Sequence, residues 1–515
     1  MIKETEIFCQ PGQHEDEAIL KRLAASSLNV PASQITGLKI LKRSIDARGR
    51  RVVYRMQVQA YINEPYFPEI YTVNYPNVRN AKPVIIIGAG PAGLFAALQC
   101  IELGLKPIIV ERGKDVKQRR RDLANINKQG LVNPESNYCF GEGGAGTYSD
   151  GKLYTRSTKR GDVNQVLQIF VAHGASEDIL IDARPHIGTN KLPGIITAIR
   201  ETIQNAGGEV HFDTKVISLI VDGRKIKGVK TADGESWKAD AVILATGHSA
   251  RDIFEMLHRQ NILIEAKPFA LGVRVEHPQE IIDRAQYHCD DRGEFLPPSY
   301  YNLVEQVDGR GVFSFCMCPG GIIAPCATED KEIVVNGWSP SKRNNPYANS
   351  GTVVQINLED VKGDDSDPFK LLRFQQEIER IAFTAGGSNL VAPAQRMVDF
   401  VEGKISVDLP KNSYLPGTKS INLDEVLPDW ITGRLRKALP VFGQKMKGYY
   451  TNEAILVGVE SRTSSPVKIP RDKETLQHPH VAGLFPCGEG AGYAGGIISA
   501  AIDGINCVAA AAKIV

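Results

Sequence analysis

The sequence predicts an α/β fold built on a parallel sheet, and three observations support this prediction. A strand–helix–strand pattern begins at residue 83, β-hairpin signals cover 209–244, and an apolar strand enters a Gly-rich turn and a helix within 481–501. Residues 262–447 lack the strand–helix periodicity, so we expect an inserted α+β domain there. The predicted units are a small α+β module (1–80), the two parts of the parallel-sheet domain (81–261 and 448–515) and the insert (262–447).

The first strand–helix–strand unit, residues 83–112, has the pattern of a Rossmann-like dinucleotide site. A buried strand at 84–87 precedes a helix pattern that Gly104 can end, and a second strand ends at Glu111. Between strand and helix stand glycines with the G-x-G-x-x-G spacing, namely Gly88, Gly90 and Gly93. This spacing allows a tight turn, close approach of the backbone to a pyrophosphate, and close packing of helix on strand. Free N–H groups at the helix start attract phosphates, and Glu111 can accept hydrogen bonds from a ribose diol, so the unit predicts a bound dinucleotide.

Length and composition exclude several classes of protein. At 515 residues the chain is long enough for two or three domains, and its net charge of +2 argues against a main role on nucleic acid or a membrane surface. The polar start MIKETEIFCQ is unlike a signal peptide, and no apolar run reaches the roughly 18–20 residues of a membrane span. Nine scattered cysteines without a disulfide-framework spacing indicate a reducing compartment. We therefore expect a cytoplasmic protein.

The leading residues predict a separate small unit. A helix pattern at 15–28 and strand patterns at 34–44 and 51–62 are typical of a compact α+β module of βαβ or ferredoxin-like character. The module lacks a basic and aromatic platform of the kind that binds RNA, which favours a structural or capping role. Binding of a partner or of RNA is the alternative.

Residues 114–153 place a helix and a polar loop after the dinucleotide unit. The helix pattern at 114–129 carries three arginines at 119–121, which form either a solvated face or a contact to pyrophosphate or adenine. The loop at 136–153 matches G-x-G-x-x-G formally, but no strand precedes it, so a second Rossmann site is not expected there. We interpret it as a donor-rich loop suited to a flat cofactor, with a plain surface loop as the alternative. Its candidate cofactor residues are Gly144, Ala145, Gly146, Thr147, Ser149, Asp150 and Lys152.

Further strands and helices complete the predicted parallel-sheet domain. A short strand is predicted at 179–183, a helix at 192–205, and a β-meander whose last strand, 237–244, ends in Ala-Thr-Gly. Near the C-terminus a strand at 483–487 meets Gly488-Glu489 and a Gly-rich turn before a helix. The free N–H groups and the dipole of that helix suit a negatively charged group.

With these motifs in view, the chain resembles the FAD-dependent oxidoreductases of the glutathione-reductase-like fold with two dinucleotide-binding parts. It is most similar to the bacterial uncharacterised FAD-dependent, or NAD(FAD)-utilising, dehydrogenases. The resemblance covers residues 83–515 and extends to the leading module. The motifs that carry it are IIIGAGPAGLFAA with Glu111-Arg112, GEGGAGTYSDGKL, ILATGHSARD, FCMCPGG and GLFPCGEGAGYAGGI.

The resemblance implies non-covalent FAD and assigns roles to residues. The pyrophosphate would be wrapped by Gly88, Gly90, Pro91, Ala92 and Gly93. Glu111 would bind the adenosine ribose with Arg112 nearby, and Val216 would meet adenine through its backbone. Thr246 and Gly247 would lie where the chain crosses to the insert, and Gly488 and Glu489 would hold the ribityl chain and pyrophosphate. Backbone N–H groups of Gly495, Gly496 and Ile497 would stabilise negative charge on the reduced flavin.

Several residues are candidates for a catalytic role in addition to the cofactor-binding roles above. A thiol–disulfide relay at Cys316 and Cys318 is one interpretation, but Cys-x-Cys is a strained spacing for a disulfide, so a pocket wall or plain packing are alternatives. Lys152 is a candidate cation beside the flavin or for substrate anions. No zinc-like cluster accompanies the cysteines, and no metal is expected. Further candidates, each with a structural alternative, are His186, His248, Arg251, Arg396 with Asp399, and the run 460–462.

The sequence therefore predicts a cytoplasmic FAD-dependent oxidoreductase that transfers hydride with a small-molecule substrate. The catalytic candidates are Lys152, His248, Cys316 and Cys318. NAD(P)H is a possible transient electron donor, although the sequence holds no second complete Rossmann unit for it. Two alternatives stay open: a flavoprotein that acts on RNA through the leading module, and a redox-responsive protein that keeps FAD without turnover.

Overall fold

The chain begins with the small module, which docks on the rest of the protein. A computed structural model describes residues 1–49, 51–155 and 160–515. The module's elements are β1 (Ile2–Cys9), α1 (Glu17–Leu28), β2 (Ile35–Asp46) and β3 (Val53–Ile62). The strands β1 and β2 both pair antiparallel with β3, which lies between them. This split βαβ arrangement agrees with the predicted ferredoxin-like character, although the sequence analysis missed β1.

The parallel-sheet domain follows, and most of its predicted elements are present. Its first part consists of β4 (Pro83–Ile87), α2 (Pro91–Glu102), β5 (Lys106–Val110), α3 (Val116–Gln129), α4 (Val163–Ala172), α5 (Asp178–Ile181), α6 (Leu192–Asn205), β6 (Glu209–His211), β7 (Val216–Asp222), β8 (Lys225–Thr231), β9 (Ser236–Lys238), β10 (Val242–Leu244) and α7 (Arg251–Arg259). The strand predicted at 179–183 is wrong, because α5 occupies this stretch. A short apolar run does not distinguish helix from strand, and here the Ser176 hydroxyl accepts a hydrogen bond from the Asp178 N–H at the helix start.

The strand predicted over 237–244 is two strands in two sheets. The first, polar part of this stretch forms β9, which belongs to the antiparallel meander β7-β8-β9. The second part forms β10, whose three residues are buried in the parallel sheet. The chain turns between them because polar residues suit the exposed meander, whereas the apolar Val242–Leu244 can be buried on both faces.

The insert is built on a seven-stranded sheet. Its elements are β11 (Glu265–Ala266), β12 (Phe269–Pro278), α8 (Gln279–Tyr287), β13 (Val304–Val307), β14 (Arg310–Cys318), β15 (Ile322–Pro325), β16 (Val335–Trp338), β17 (Tyr347–Ile356), α9 (Lys370–Gly386), β18 (Ala392–Arg396), α10 (Met397–Val401), β19 (Thr418–Ser420), α11 (Asp429–Lys445) and β20 (Ile455–Glu460). The strand order is β13-β14-β17-β12-β20-β18-β19. The insert extends beyond the predicted boundary at residue 447, because β20 belongs to its sheet and pairs with both β12 and β18. A buried apolar run such as 455–460 does not by itself show which sheet it joins.

The C-terminal part returns to the parallel sheet. Its elements are β21 (Val467–Lys468), β22 (Leu484–Pro486) and α12 (Ile497–Ala511). The sheet has the order β22-β10-β4-β5-β6, with every pair parallel, so the predicted parallel sheet is confirmed. The helices α2 and α12 pack closely on each other, since a Cβ on Gly504 would lie 2.1 Å from the Ala92 carbonyl oxygen.

None of the helices within the described ranges is both long and apolar enough to cross a membrane.

Candidate functional site

A single cavity is bordered by both parts of the parallel-sheet domain and by the insert. Most of the residues predicted to bind the cofactor line it. They are Gly88, Gly90, Pro91, Ala92, Glu111, Arg112, Gly144, Ala145, Gly146, Ser149, Asp150, Lys152, Val216, Thr246, Gly247, Glu489, Gly495, Gly496 and Ile497. Of the catalytic candidates, His248 and Cys316 also line the cavity. The fold therefore brings together residues that lie up to about four hundred positions apart in the chain.

Three predicted residues lie outside the cavity wall and support it instead. A Cβ on Gly93 would stand 1.9 Å from the Gly88 carbonyl oxygen, so this glycine allows helix α2 to pack on the turn. Thr147 is buried and its hydroxyl donates to the Glu142 carbonyl. The Gly488 N–H donates to the Asp503 carboxylate. These positions shape the site rather than face it.

Two helix N-termini face the cavity. The N-cap residues are Gly90 for α2 and Gly496 for α12, and neither helix receives a side-chain cap. A Cβ on Gly495 or Gly496 would meet no atom within 4 Å, whereas a Cβ on Gly144 would lie 3.1 Å from the Gly90 Cα. Backbone N–H groups at both helix starts, with their partial positive charge, suit an anionic group such as a pyrophosphate.

Glu111 organises the adenosine end predicted for the site. One carboxylate oxygen accepts from the Ala89 N–H at 2.8 Å, and the other accepts from the Gly113 and Gly141 N–H groups at 2.9 and 3.0 Å. Glu111 therefore ties β5 to the Gly-rich turn and to the polar loop. The oxygen that accepts from Ala89 has a second lone pair, so it can still accept a hydrogen bond from a ligand.

Arg112 lines the cavity, whereas Arg119 lies behind the polar loop. Arg112 forms ion pairs with Glu135 and Asp252 and lies over the Phe140 ring at 4.4 Å. Arg119 is fully buried rather than on a solvated face. Its guanidinium donates to the carbonyls of residues 137, 138 and 142, so it holds the polar loop in shape.

The polar loop carries Lys152 to the two cysteines of the insert. The Lys152 ammonium lies 3.7 Å from the Cys316 sulfur and 4.0 Å from the Cys318 sulfur. Burial lowers the pKa of Lys152, but the sulfurs and Asp150 outweigh it, so this pKa is raised and the side chain remains charged. Burial also acts on Asp150, yet Arg343 at 2.7 Å and Lys152 bring the pKa of Asp150 to about 2.

Cys316 occupies a bulge in β14 with an unusual backbone. The pairing of β14 with β17 shifts between Phe315 and Cys318, and Cys316 has φ +46°. A non-glycine residue in the left-handed region costs about 1–2 kcal/mol, so the surrounding structure must hold it there. The bulge turns Phe315 and Cys316 to the cavity wall, whereas Cys318 is fully buried behind it.

Arg274 holds the cysteine bulge from the other side. This fully buried guanidinium donates to the Cys316 carbonyl at 2.8 Å, to the Cys318 sulfur at 3.6 Å and to Glu460 at 2.8 Å. Arg274 was not among the predicted site residues, although an arginine inside the apolar run FALGVRVEHP of β12 indicates a buried charged contact.

His248 and Glu489 form a second polar pair on the cavity wall. The His248 Nδ1 lies 3.3 Å from a Glu489 carboxylate oxygen. Burial raises the pKa of Glu489, but His248 and the Gly496 N–H outweigh it and leave this pKa below its usual range. The pair thus presents a carboxylate next to the N-terminus of α12.

A buried network of two arginines and two glutamates pins the insert beside the cavity. Glu379 accepts from Arg251 at 2.6 Å and from Arg462 at 3.0 Å, and Glu332 accepts from the same two arginines at 2.9 and 3.1 Å. Burial and the neighbouring Glu379 raise the pKa of Glu332 to about 7. Arg462 lines the cavity, whereas Arg251 belongs to this network rather than to an acid–base site.

Two other candidates lie away from the cavity. The His186 Nε2 contacts the Ser341 carbonyl at 3.1 Å, and burial lowers the pKa of His186 to about 4. Arg396 pairs with Asp408 at 2.8 Å instead of Asp399. Neither residue lines the cavity, so the structure supports the structural interpretation of both.

One group of potential metal ligands stands among the described residues, between the end of β22 and the middle of α12. Cys487, Asp503 and Cys507 have ligand atoms within 4.8 Å of one another. The Arg471 guanidinium, however, bonds Asp503 at 2.6 Å and the Cys507 sulfur at 3.3 Å. A cation side chain already neutralises this carboxylate, which disfavours a metal ion at the same place.

Comparison with protein families finds FAD-binding models along the chain. Residues 83–119 match the FAD binding domain model, 193–338 the FAD dependent oxidoreductase model, and 268–463 the model described as FAD-dependent protein, C-terminal domain-like. Residues 1–61 match a domain of unknown function.

Individual proteins are also similar to this chain. An uncharacterized protein of Clostridium beijerinckii is 40% identical over 512 residues, which is 96% of this chain and 95% of that protein. The tRNA uridine 5-carboxymethylaminomethyl modification enzyme MnmG of Endomicrobium trichonymphae is 28% identical over 167 residues, 32% of this chain and 25% of that enzyme. Among solved structures, a geranylgeranyl bacteriochlorophyll reductase-like protein from Thermoplasma acidophilum is 13% identical, with 84% of this chain and 78% of that one covered and a TM-score of 0.35.

Proposed function

Because this chain belongs to the FAD-dependent oxidoreductases and FAD is its cofactor, we propose that it transfers hydride between non-covalent FAD and a small-molecule substrate in the cavity described above. One observation carries the proposal: two uncapped helix N-termini and the Lys152–Cys316 contact border the same cavity. Within the family we assign the chain to the glutathione-reductase-like type, in which a C-terminal strand completes the parallel sheet as β22 does.

The chemistry of the residues that line the cavity suits FAD. The N-termini of α2 and α12 suit the pyrophosphate and the flavin carbonyl edge, and glycines keep the backbone open at both places. We infer that Glu111, Arg112 and Val216 hold the adenosine end, and that Gly144–Gly146 and residues 495–497 hold the flavin end. When bound, FAD supplies a two-electron carrier that accepts or gives up hydride.

Lys152 is the residue we assign to the electron-rich end of the cofactor or to an anionic substrate. A charged ammonium in the cavity wall favours negative charge that develops nearby in the reaction. His248 with Glu489 provides a polar pair on the wall that can orient the cofactor or a substrate proton. Cys316 provides a sulfur beside Lys152 on the cavity wall.

Reduction of the bound flavin tests the proposed function. The purified protein should be yellow, and anaerobic mixing with NADH, NADPH or an organic donor should bleach the visible flavin absorption in at least one case. A protein that takes up no FAD would contradict the proposal. An FAD-loaded protein that no donor reduces would favour the alternative of a redox-responsive protein without turnover. NAD(P)H is the donor we test first, although the described residues contain one parallel sheet of this kind and therefore no second Rossmann unit.

Lys152→Met should slow flavin reduction by on the order of 10-fold to 100-fold, because the variant removes the cation beside the reacting groups. Lys152→Arg keeps the charge and should retain most of the rate. Stopped-flow reduction by the donor identified above provides the measurement, and FAD content of each variant is the control. Equal rates for the Met and Arg variants would contradict a role for the charge.

Action on RNA is the second candidate function, and the relation to a tRNA-modifying enzyme over 167 residues is the reason to test it. A cleft between the module and the insert is lined by four cations, Arg48, Arg284, Lys445 and Lys447. Three of them are paired with carboxylates, at 2.6 Å for Arg48, 3.4 Å for Arg284 and 2.7 Å for Lys445. Ion-paired cations release few counterions on binding a phosphate backbone.

We therefore expect the protein to bind bulk tRNA weakly. Fluorescence anisotropy with labelled tRNA at low and physiological salt measures this directly. Tight binding that falls steeply with salt, and that Lys445→Glu with Lys447→Glu abolishes, would contradict the expectation and favour the RNA function.

The nine cysteines are all unpaired in the structure, and on this basis we place the protein in a reducing compartment, the cytoplasm.

A further inference from the structure

The cysteine bulge of the insert holds two sulfurs and two cations at one wall of the cavity. The Lys152 ammonium contacts both sulfurs, and the Arg274 guanidinium contacts the Cys318 sulfur and the Cys316 carbonyl. Packing alone does not explain why a half-buried lysine and a fully buried arginine lie against two thiols. The arrangement instead stabilises negative charge on sulfur.

We propose that Cys316 and Cys318 form a redox-active dithiol–disulfide pair and that the substrates of the cavity are thiol compounds. This inference rests on the proposed function, because FAD is the carrier that takes up the electrons. Cys316 is the sulfur that meets the substrate, since it lines the cavity, and Cys318 is the buried partner.

The charges around the pair favour a thiolate on Cys316. A hydrogen bond from Cys318 lowers the pKa of Cys316, burial opposes this, and Lys152 and Arg274 lower it further, so the net pKa lies well below the usual range. The same hydrogen bond and burial raise the pKa of Cys318. Two neighbouring acids oppose this effect: Asp150, which is itself paired with Arg343, raises the pKa of Cys316, and Glu460 offsets part of the charge of Arg274. Lys152 and Arg274 still outweigh the acids, so the net effect on the pKa of Cys316 is a decrease.

The geometry also decides the direction in which the pair works. A disulfide that closes over a Cys-x-Cys spacing is strained, and the reduced form is stabilised by two cations. Strain in the oxidised form and stabilisation of the reduced form both make a disulfide a stronger oxidant. The pair should therefore accept electrons from thiols rather than reduce disulfides.

The exchange balances in two steps. A substrate thiolate attacks the Cys316 sulfur of the protein disulfide, the Cys316–Cys318 bond breaks, and Cys318 leaves and takes up a proton. A second substrate thiolate attacks the substrate sulfur of the mixed disulfide, a substrate disulfide forms, and Cys316 leaves as the thiolate that Lys152 stabilises. Two electrons have then passed from two substrate thiols to the protein. Re-forming the protein disulfide releases two electrons and one proton, and FAD, when bound, would supply the acceptor for them.

Alkylation of the FAD-loaded protein tests the thiolate. Iodoacetamide at about pH 6.5 should label Cys316 on the order of 10-fold faster than Cys289, a partly exposed cysteine away from the cavity. Lys152→Met should remove most of this difference. Mass spectrometry of the peptides measures both rates without reference to enzyme activity. Equal rates at Cys316 and Cys289 would overturn the proposal.

Oxidation of the same protein tests the pair. Diamide should produce a peptide with a Cys316–Cys318 disulfide, and in glutathione mixtures this disulfide should require a larger excess of the oxidised form than an unstrained dithiol does. In Cys318→Ser, oxidised glutathione should leave a mixed disulfide on Cys316. Absence of the 316–318 disulfide with every oxidant, in a protein that keeps its native circular dichroism, would overturn the proposal, as would easy oxidation by the glutathione mixtures.

Failure of the pair and failure of the proposed function give different results. Flavin that NADH or another non-thiol donor reduces at the same rate in Cys316→Ser as in the wild type, together with no 316–318 disulfide, would leave the oxidoreductase intact and reject the thiol pair. A 316–318 disulfide that forms in a protein unable to bind FAD would support the thiol pair and reject the FAD-dependent function.

Discussion

Gly90→Asp is expected to give a folded protein that no longer retains FAD. Gly90 is the N-cap of α2 with φ −74° and ψ −176°, an extended conformation that any residue adopts, and a Cβ there would meet only the Gly144 Cα at 3.9 Å. Aspartate is a favoured N-cap residue, so the helix should not be weakened. Its carboxylate, however, would occupy the helix N-terminus that the pyrophosphate needs and would repel both phosphates.

A repulsion of this kind, at a few ångströms and an intermediate dielectric, amounts to several kcal/mol, so the FAD affinity should fall by about 100-fold or more. Gly90→Asn is the matched variant, because it has the same shape and capping oxygen without the charge. We expect it to bind FAD at least about 10-fold more tightly than Gly90→Asp. Titration of the apoproteins with FAD by flavin fluorescence provides both constants, with circular dichroism as the test of folding. Wild-type affinity in Gly90→Asp would place the pyrophosphate elsewhere.

Glu379→Gln is expected to lower the free energy of unfolding by about 3–5 kcal/mol, the usual cost of removing one partner from a buried charge pair. The Glu379 carboxylate accepts from Arg251, from Arg462 and from the Ser461 hydroxyl, and all are buried. With glutamine at position 379, Arg251 and Arg462 would have Glu332 as their one carboxylate partner in this network. The amide NH₂ of the glutamine would also face guanidinium N–H donors, so these groups would lack acceptors.

The matched control is Glu377→Gln, which removes a charge from the exposed face of the same helix α9. It should change stability by less than about 0.5 kcal/mol. Urea unfolding of both variants with FAD bound, followed by circular dichroism, measures the difference. Because the network joins the start of α7 to the insert at the cavity, Glu379→Gln should also bind FAD more weakly. Equal unfolding midpoints for the two variants would show that the network contributes little.

Local patterns predicted much of the parallel-sheet domain. The apolar run of β4, the glycine spacing and the helix α2 follow from side-chain periodicity and turn chemistry, which act over neighbouring residues. The same reasoning failed at α5, because a short apolar run is compatible with both helix and strand. It also failed at 237–244, where one apparent strand serves two sheets.

The residues of the candidate site were likewise predicted only in part. Most residues predicted from the glycine motifs and from the family resemblance line the cavity, because those motifs describe the backbone at strand ends. For Arg119 the sequence left open a solvated face or a cofactor contact, whereas the structure buries it, and no role was predicted for Arg274. A charged side chain in a sequence does not show which carbonyls or acids it will contact when buried.

By itself, then, the sequence determined a parallel α/β domain, its first dinucleotide motif, and the set of residues able to surround a cofactor. The tertiary structure alone decided that Lys152 lies against Cys316, 164 positions along the chain, and that Arg251, Glu332, Glu379 and Arg462 form one network. The physical reason is that charge stabilisation depends on distances of a few ångströms between side chains from different elements. Neither hydrophobic period nor turn chemistry encodes those distances.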